Sequence, residues 1–355
     1  MKYGSRLVNI CLFTHVFFWY SWQSIILSCR YTQIFDHHWI EILITKEMAT
    51  IATDADRDYS PSCWSHRFSD PDKVIESHVE ALTKATQRAR NTLPCLLNRI
   101  VDSTTSFPDH SIDIYFPSNI TDLLPSIDTI KPKAIFVYLH GGYWQYFSRN
   151  ESAFMAKTMS DAQILTAVIG YPIAPHATID QIVTCVEQSM VKILQLAMKL
   201  SVKVFISGHS AGAHLSSTLL LIDWKKKYNI DPDIFGGFFL ISGVFDLVPL
   251  LPTYINNPLG MTEAIARNQS PLHRASSDYW SALKHVPILC VHGQYDPPTF
   301  HDQNQRFGSY LEKIGFDHVQ TLQLDNFDHF DIIEQLKNQD QPLTTMILNI
   351  INDSI

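Results

Sequence analysis

Residues 202–215 read Val-Lys-Val-Phe-Ile-Ser-Gly-His-Ser-Ala-Gly-Ala-His-Leu, an apolar run that breaks into Gly208-x-Ser210-x-Gly212. A serine between two glycines at this spacing fits a sharp strand-to-helix turn that lifts its hydroxyl above a sheet. Bulky Cβ atoms do not fit beside so strained a turn, which explains the glycine on either side. Upstream, His140-Gly141-Gly142-Tyr143-Trp144 follows a second apolar run, 134–139. Such a segment can offer backbone N–H groups to a carbonyl oxygen as it turns negative. Together the two segments read as apparatus for attacking a carbonyl.

The chain around them alternates between two periodicities. Helical spacing spans 70–92, about 177–200, 211–227, about 299–314 and 331–350. Ile112–Phe116 alternates as a strand and stops at Pro117; 118–133 reads as a polar, proline-bounded loop. The runs 134–139, 165–169, 202–206, 238–241 and 287–292 are nearly all apolar, as in strands covered on both faces, and 319–324 continues the series. Alternating strands and helices predict a mostly parallel, doubly wound sheet with helices on both faces, and a serine elbow on such a sheet points to the α/β-hydrolase fold. Residues 249–285, rich in Pro, Asn and Ser, interrupt the alternation and are expected to form a small cap insertion over the site.

At 355 residues with 46% hydrophobic content, the chain can build one large packed domain. A net charge of −8 argues against nucleic acid or an anionic membrane surface as the main partner. The six cysteines show no CxxC pattern, which favours free thiols in a reducing compartment. The first 47 residues stand apart, with no charged side chain from Leu7 to Cys29. A signal peptide or anchor is one reading. Polar interruptions at Asn9, His15 and Gln23, and no clear small-residue cleavage site, favour an N-terminal extension ahead of a working start at Met48. The expected domain is then 48–355, in the cytosol or nucleus, with the sequence leaving room for a homodimer. Asn-x-Ser/Thr triplets at Asn119, Asn150, Asn268 and Asn352 do not decide secretion.

A serine nucleophile on such a sheet needs an acid and a base in the order Ser…Asp/Glu…His. Asp296 follows the strand 287–292, and His329 follows 319–324; both fall where loops leave the carboxyl edge of the sheet. Asp246, after 238–241, is the rival acid and is expected to tie down its own loop; Asp328 is expected to be solvated. His318 reads as a surface residue, and His140, His209 and His214 as packing or hydrogen-bonding residues. Ser210, Asp296 and His329 are thus the expected catalytic set, with the N–H groups of Gly141, Gly142 and Ala211 as the oxyanion hole. No cofactor and no metal is expected, because the chain has no HExxH or comparable ligand pattern.

Several longer strings extend these motifs. Tyr59-Ser-Pro-Ser62, Asp113–Pro117, His140–Trp144, Glu151–Met155, Tyr171–Pro175, Gly208–Leu215, Ser242–Leu247 and Asp328–Phe330 resemble the kynurenine formamidase (arylformamidase) family, collinearly from about Asp58 to the C-terminus. The shorter His-Gly-Gly and Gly-x-Ser-x-Gly elements are shared with hormone-sensitive-lipase-like esterases. The resemblance implies hydrolysis of a small-molecule substrate, N-formyl-L-kynurenine, to L-kynurenine and formate, with the same three catalytic residues. Tyr143 and Trp144 are candidate walls for the aromatic substrate. Two other readings stand beside it: a general carboxylesterase on short-acyl or aryl esters, and an inactive hydrolase fold used for binding.

Overall fold

Strands that are apolar along their whole length must be covered on both faces, and the computed structural model shows how this chain covers them. It describes residues 52–101, 107, 109–117, 119, 130–274 and 282–355. The N-terminal extension and part of the expected cap, 275–281, lie outside the described residues. The strands are β1 (Cys95–Ile100), β2 (Ser111–Tyr115), β3 (Ala134–Leu139), β4 (Leu165–Ile169), β5 (Lys203–His209), β6 (Phe235–Ile241), β7 (Ile288–Tyr295) and β8 (Val319–Asp328). They form one sheet ordered β1-β2-β4-β3-β5-β6-β7-β8. From β4 through β8 neighbouring strands run parallel, while β2 pairs antiparallel with both β1 and β4.

Successive side chains of each central strand serve opposite layers. Ile135, Val137, Leu139, Val204, Ile206 and Leu240 join one buried cluster, with residues of helices α4 (Ile179–Leu200), α5 (Ala211–Thr218) and α9 (Pro298–Lys313). Phe136, Tyr138, Phe205, Phe239 and Val291 join the other. There they meet α2 (Pro71–Thr92), α3 (Ala156–Asp161), α10 (Asp331–Glu334) and α11 (Pro342–Ser354). The remaining helices are α1 (Asp54–Asp58), α6 (Trp224–Tyr228), α7 (Asn256–Leu259) and α8 (Glu263–Gln269). Helix α4 starts in a capping box, Thr178 with Gln181, and ends at Ser201 in the left-handed conformation.

Local chemistry explains where element boundaries depart from the periodicity. The helix expected over 211–227 breaks because Ile222 turns extended and the Asp223 carboxylate caps a new helix by accepting from Lys226 N. Strand β6 begins earlier than its apolar run because Gly236 and Gly237 lie against the Phe205 ring, where a Cβ on Gly236 would stand 2.3 Å from Phe205 Cζ. Strand β1 is masked in sequence by a register shift between Leu96 and Arg99, with Asn98 at φ 55°.

Under β1 and β2 lies a buried ionic knot. Asp113, with no exposed surface, accepts from Arg90 Nη2 at 3.0 Å and from Asn98 N at 2.7 Å, and Arg149 Nε stands 3.2 Å away. Removing one partner of such a pair leaves an uncompensated buried charge. Asp113→Ala is therefore expected to lose about 3–5 kcal/mol of unfolding free energy in urea; a loss under about 1 kcal/mol would show that the knot carries little stability.

Candidate active site

Strand β5 delivers Ser210 to the carboxyl edge of the sheet and α5 begins one residue later. Ser210 adopts φ 56°, ψ −118°, a conformation that L-residues rarely take. Its N–H donates to Ile241 O at 2.8 Å, and its carbonyl accepts from Ala213 N and His214 N. The turn closes only because its flanks lack side chains. A Cβ on Gly208 would stand 2.1 Å from the Gly212 carbonyl oxygen, and one on Gly212 would stand 2.0 Å from that of Leu139. Ala211 is the first residue of α5, and the first N–H groups of a helix have no partner within it.

Asp296 and His329, 33 positions apart in sequence, meet at 2.5 Å, Oδ1 to Nδ1. The other carboxylate oxygen, Oδ2, accepts from Ser242 Oγ at 2.6 Å and Gly293 N at 2.8 Å. Burial alone would raise the Asp296 pKa; the charge and hydrogen bond of His329, with the bonds from Ser242 and Gly293, outweigh it and hold the carboxyl below its usual range. An ionised carboxylate only accepts, so His329 Nδ1 carries the proton of this bond, and in the uncharged form of the ring the lone pair lies on Nε2. Phe300 and Phe330 stand edge-on to the ring, at 4.9 and 5.3 Å between centroids.

His329 and the elbow are joined through His209. Its Nε2 lies 2.8 Å from His329 O, and a carbonyl can only accept, so Nε2 is the donor. Burial first, then His329 and His78, push the His209 pKa well below the ordinary value, so this donor is a neutral imidazole. The glycine loop backs onto the same place. A Cβ on Gly141 would lie 3.3 Å from Ser210 Cβ and 3.0 Å from His209 Nδ1. Gly142, Tyr143 and Trp144 follow with φ of 93°, 49° and 58°, a left-handed run that turns the chain sharply. His140 lies flat on Tyr171, whose hydroxyl donates to His140 O at 2.7 Å, and burial pushes the His140 imidazole down to about 4.

The two aromatic residues expected to face substrate differ in placement. Tyr143 keeps 8% of its surface exposed and donates its hydroxyl to Tyr59 O at 2.6 Å. Trp144 has none exposed, and its ring meets His214 at right angles. Asp246 receives Val248 N and pairs with His273 at 2.9 Å, away from His329 Nδ1. The solvated placement expected for Asp328 is corrected: it is 1% exposed. Its Oδ1 accepts from Phe330 N and Asp331 N, and its Oδ2 from Arg67 Nε and Ser65 Oγ. Ser242 and Arg67 were not singled out from the sequence. In the Ser242-Gly-Val-Phe-Asp246 string the aspartate is the residue with an evident role, and nothing local marks a serine that bonds to Asp296, 54 positions away. Among the described residues, no group of three or more His, Cys, Asp or Glu side chains is placed to hold a metal ion, and no helix is long and apolar enough to cross a membrane.

Comparison with known proteins identifies the family. A family model described as the α/β hydrolase fold matches residues 136–329. The kynurenine formamidase of Salmo salar is 38% identical over 299 residues, covering 84% of this chain and 96% of that protein. That of Danio rerio is 37% identical over 300 residues, covering 83% and 95%. Among solved structures, a candidate thioesterase from Silicibacter superposes with a TM-score of 0.67 at 21% identity, over 85% of this chain and all of that one. This last likeness speaks for the fold alone.

One carboxyl at the site's edge gives a titration test. Burial, and then the neighbouring Asp328 charge, raise Asp331 to about 7. The folded state therefore keeps a proton that an unfolded carboxyl releases near pH 4, and the resulting stabilisation is complete below about pH 4 and lost as pH rises through about 7. Asp331→Asn keeps an acceptor for Asp328 N, which bonds Asp331 Oδ1 at 2.7 Å, but does not titrate. Relative to wild type, the variant's stability should rise between pH 4 and 8. The gain should reach about 1 kcal/mol, a figure discounted for the group's partial exposure. A difference that does not vary with pH in urea titrations would contradict this.

Proposed function

Because the chain belongs to the kynurenine formamidase family of α/β hydrolases, we propose that it hydrolyses N-formyl-L-kynurenine to L-kynurenine and formate. Ser210 is the nucleophile, His329 the general base and acid, and Asp296 the carboxylate that orients and stabilises the imidazole. The observation that carries this reading is the 2.5 Å bond between Asp296 and His329, in the loops beside a strained Ser210.

The chemistry follows in two halves. Ser210 Oγ attacks the formyl carbon while His329 Nε2 takes its proton, and the imidazolium that forms is stabilised by the buried Asp296. The oxygen turning negative meets the N–H groups of Gly141, Gly142 and Ala211. His329 then gives its proton to the aniline nitrogen as the C–N bond breaks, L-kynurenine leaves, and a formyl ester remains on Ser210. Water, deprotonated by His329, attacks that ester and releases formate, restoring the serine. An aryl amine leaves more readily than an alkyl amine, so an esterase-type site suffices for this amide. Tyr143, with its remaining exposure, is the aromatic contact we assign to substrate, and Trp144 packs behind it.

The same reading makes residues 249–274 part of a cap beside the site. It also places the enzyme in the cytosol or nucleus, with Met48 as its start, in keeping with the free thiols of Cys95, Cys185 and Cys290. Sequencing of the mature N-terminus reads this directly: Met48 is expected, and cleavage near residue 30 would overturn it.

The activity test compares N-formylkynurenine with p-nitrophenyl acetate for wild type, Ser210→Ala and Asp296→Asn. Wild type is expected to turn over the formamide and Ser210→Ala neither substrate. Asp296→Asn should lose about 10⁴ in kcat through the wrong imidazole tautomer. Efficient ester cleavage with no formamide cleavage would refute the substrate assignment.

A further inference from the structure

We propose that residues 56–67 form a positioning strap for the active site, fastened at one end by Arg67 to Asp328. The proposal rests on the catalytic assignment above. The segment precedes the first long helix and lies outside residues 136–329, the part matched by the fold family. Over this short stretch it bonds to each of the three loops that carry the proposed chemistry.

The glycine loop is held through Tyr59, whose carbonyl accepts the Tyr143 hydroxyl at 2.6 Å. Tyr143 is one residue beyond Gly142 and sits in the left-handed region, so this bond anchors the loop within its left-handed run. The acid loop is held through α9: Thr299 Oγ1 donates to Asp58 O at 2.5 Å, three residues past Asp296, and Gln303 Nε2 donates to Tyr59 OH at 3.3 Å. The base loop is held through Asp328. Ser65 Oγ and Arg67 Nε, the latter at 2.9 Å, take its Oδ2, while its Oδ1 receives the N–H groups of Phe330 and Asp331 on the far side of His329. Arg67 Nη1 reaches on to Glu334 at 3.2 Å, and Glu334 accepts His78 Nδ1 at 2.9 Å.

The strap is itself stiff. Thr53 and Asp56 form a capping box at its start, Ser60 Oγ donates back to Asp56 O at 2.7 Å, and Pro61 begins a tight turn. Asp56 and Ser60 also tie down Tyr254, through its N–H at 2.9 Å and its hydroxyl at 3.0 Å. A formyl group offers almost no surface by which binding could orient it. Rate then depends on fixed placement of oxyanion donors, acid and base about the nucleophile, and a displacement of about 1 Å can cost about a hundredfold. The oxyanion donors, acid and base stand on loops, the most mobile parts of such a fold. A strap joining these three loops holds them in register.

A strap that only stabilised the fold would change melting temperature and leave turnover of the folded enzyme alone. The full chain is assayed well below its melting temperature on N-formylkynurenine and p-nitrophenyl acetate, for Arg67→Met, Arg67→Lys and the uncharged double variant Ser65→Ala/Thr299→Val. Arg67→Met is expected to lower kcat about ten- to a hundredfold with KM within about twofold, Arg67→Lys to recover most of that loss, and the double variant to lower kcat about threefold or more. Turnover within about twofold of wild type for folded Arg67→Met would overturn the proposal. If Arg67→Met does not fold, unchanged kcat in the double variant overturns it instead. Failure of the substrate reading looks different: wild type then cleaves only the ester, and the kcat loss is read on that substrate. Failure of the nucleophile assignment would leave Ser210→Ala active.

Discussion

The backbone of Ser210, at φ 56° and ψ −118°, is the constraint on which the rest of the site depends. A non-glycine residue held there costs on the order of 1–3 kcal/mol and persists only where its surroundings over-determine it. Here β5 lies in the middle of the sheet, clamped by β3 and β6, and the Ser210 N–H is fixed to Ile241 O. The close approaches of Gly208 to Gly212 and of Gly212 to Leu139 leave the turn no other path. The fully buried strands thus serve the site directly: their packing holds one hydroxyl in a conformation the chain would not choose.

A second feature concerns charge. Histidines crowd the site, with His209 4.5 Å from His329 and 6.5 Å from His78 between ring centroids. Burial drives His209 well below its ordinary pKa and lowers His78 too, despite the partnership of Glu334. His140 and His214 are pushed down to about 4. These rings are therefore neutral donors and packing groups at physiological pH, and they add no cation beside His329. The carboxylate that touches His329 stays ionised because three groups, His329, Ser242 and Gly293, oppose the cost of its burial. Neutral neighbours and one ionised partner leave a single imidazole to carry protons in the proposed mechanism.

Much of this was legible in the sequence, and the reasons are physical. The runs 134–139 and 165–169 mark β3 and β4 to the residue, because strands buried on both faces are apolar throughout. Asp296 and His329 could be placed from their positions after late strands, since the sheet's carboxyl edge gathers those loops. What escaped were long-range polar contacts. Asp328 looks like any acid beside a histidine; only the fold brings Arg67 to it, 261 positions away. Strand β1 escaped because a bulge breaks its alternation, and α3 because six residues carry too little periodicity. Trp144 illustrates the opposite error, where an aromatic beside a motif suggests a substrate wall but packs as core.

The account stands on Ser210 acting as a covalent nucleophile activated by its setting. Peptide mapping after reaction with a fluorophosphonate measures this most directly. A single adduct on Ser210, formed in step with complete loss of N-formylkynurenine hydrolysis, is the result the account predicts. Loss of hydrolysis with the adduct on another residue, or full modification of Ser210 with hydrolysis intact, would contradict it.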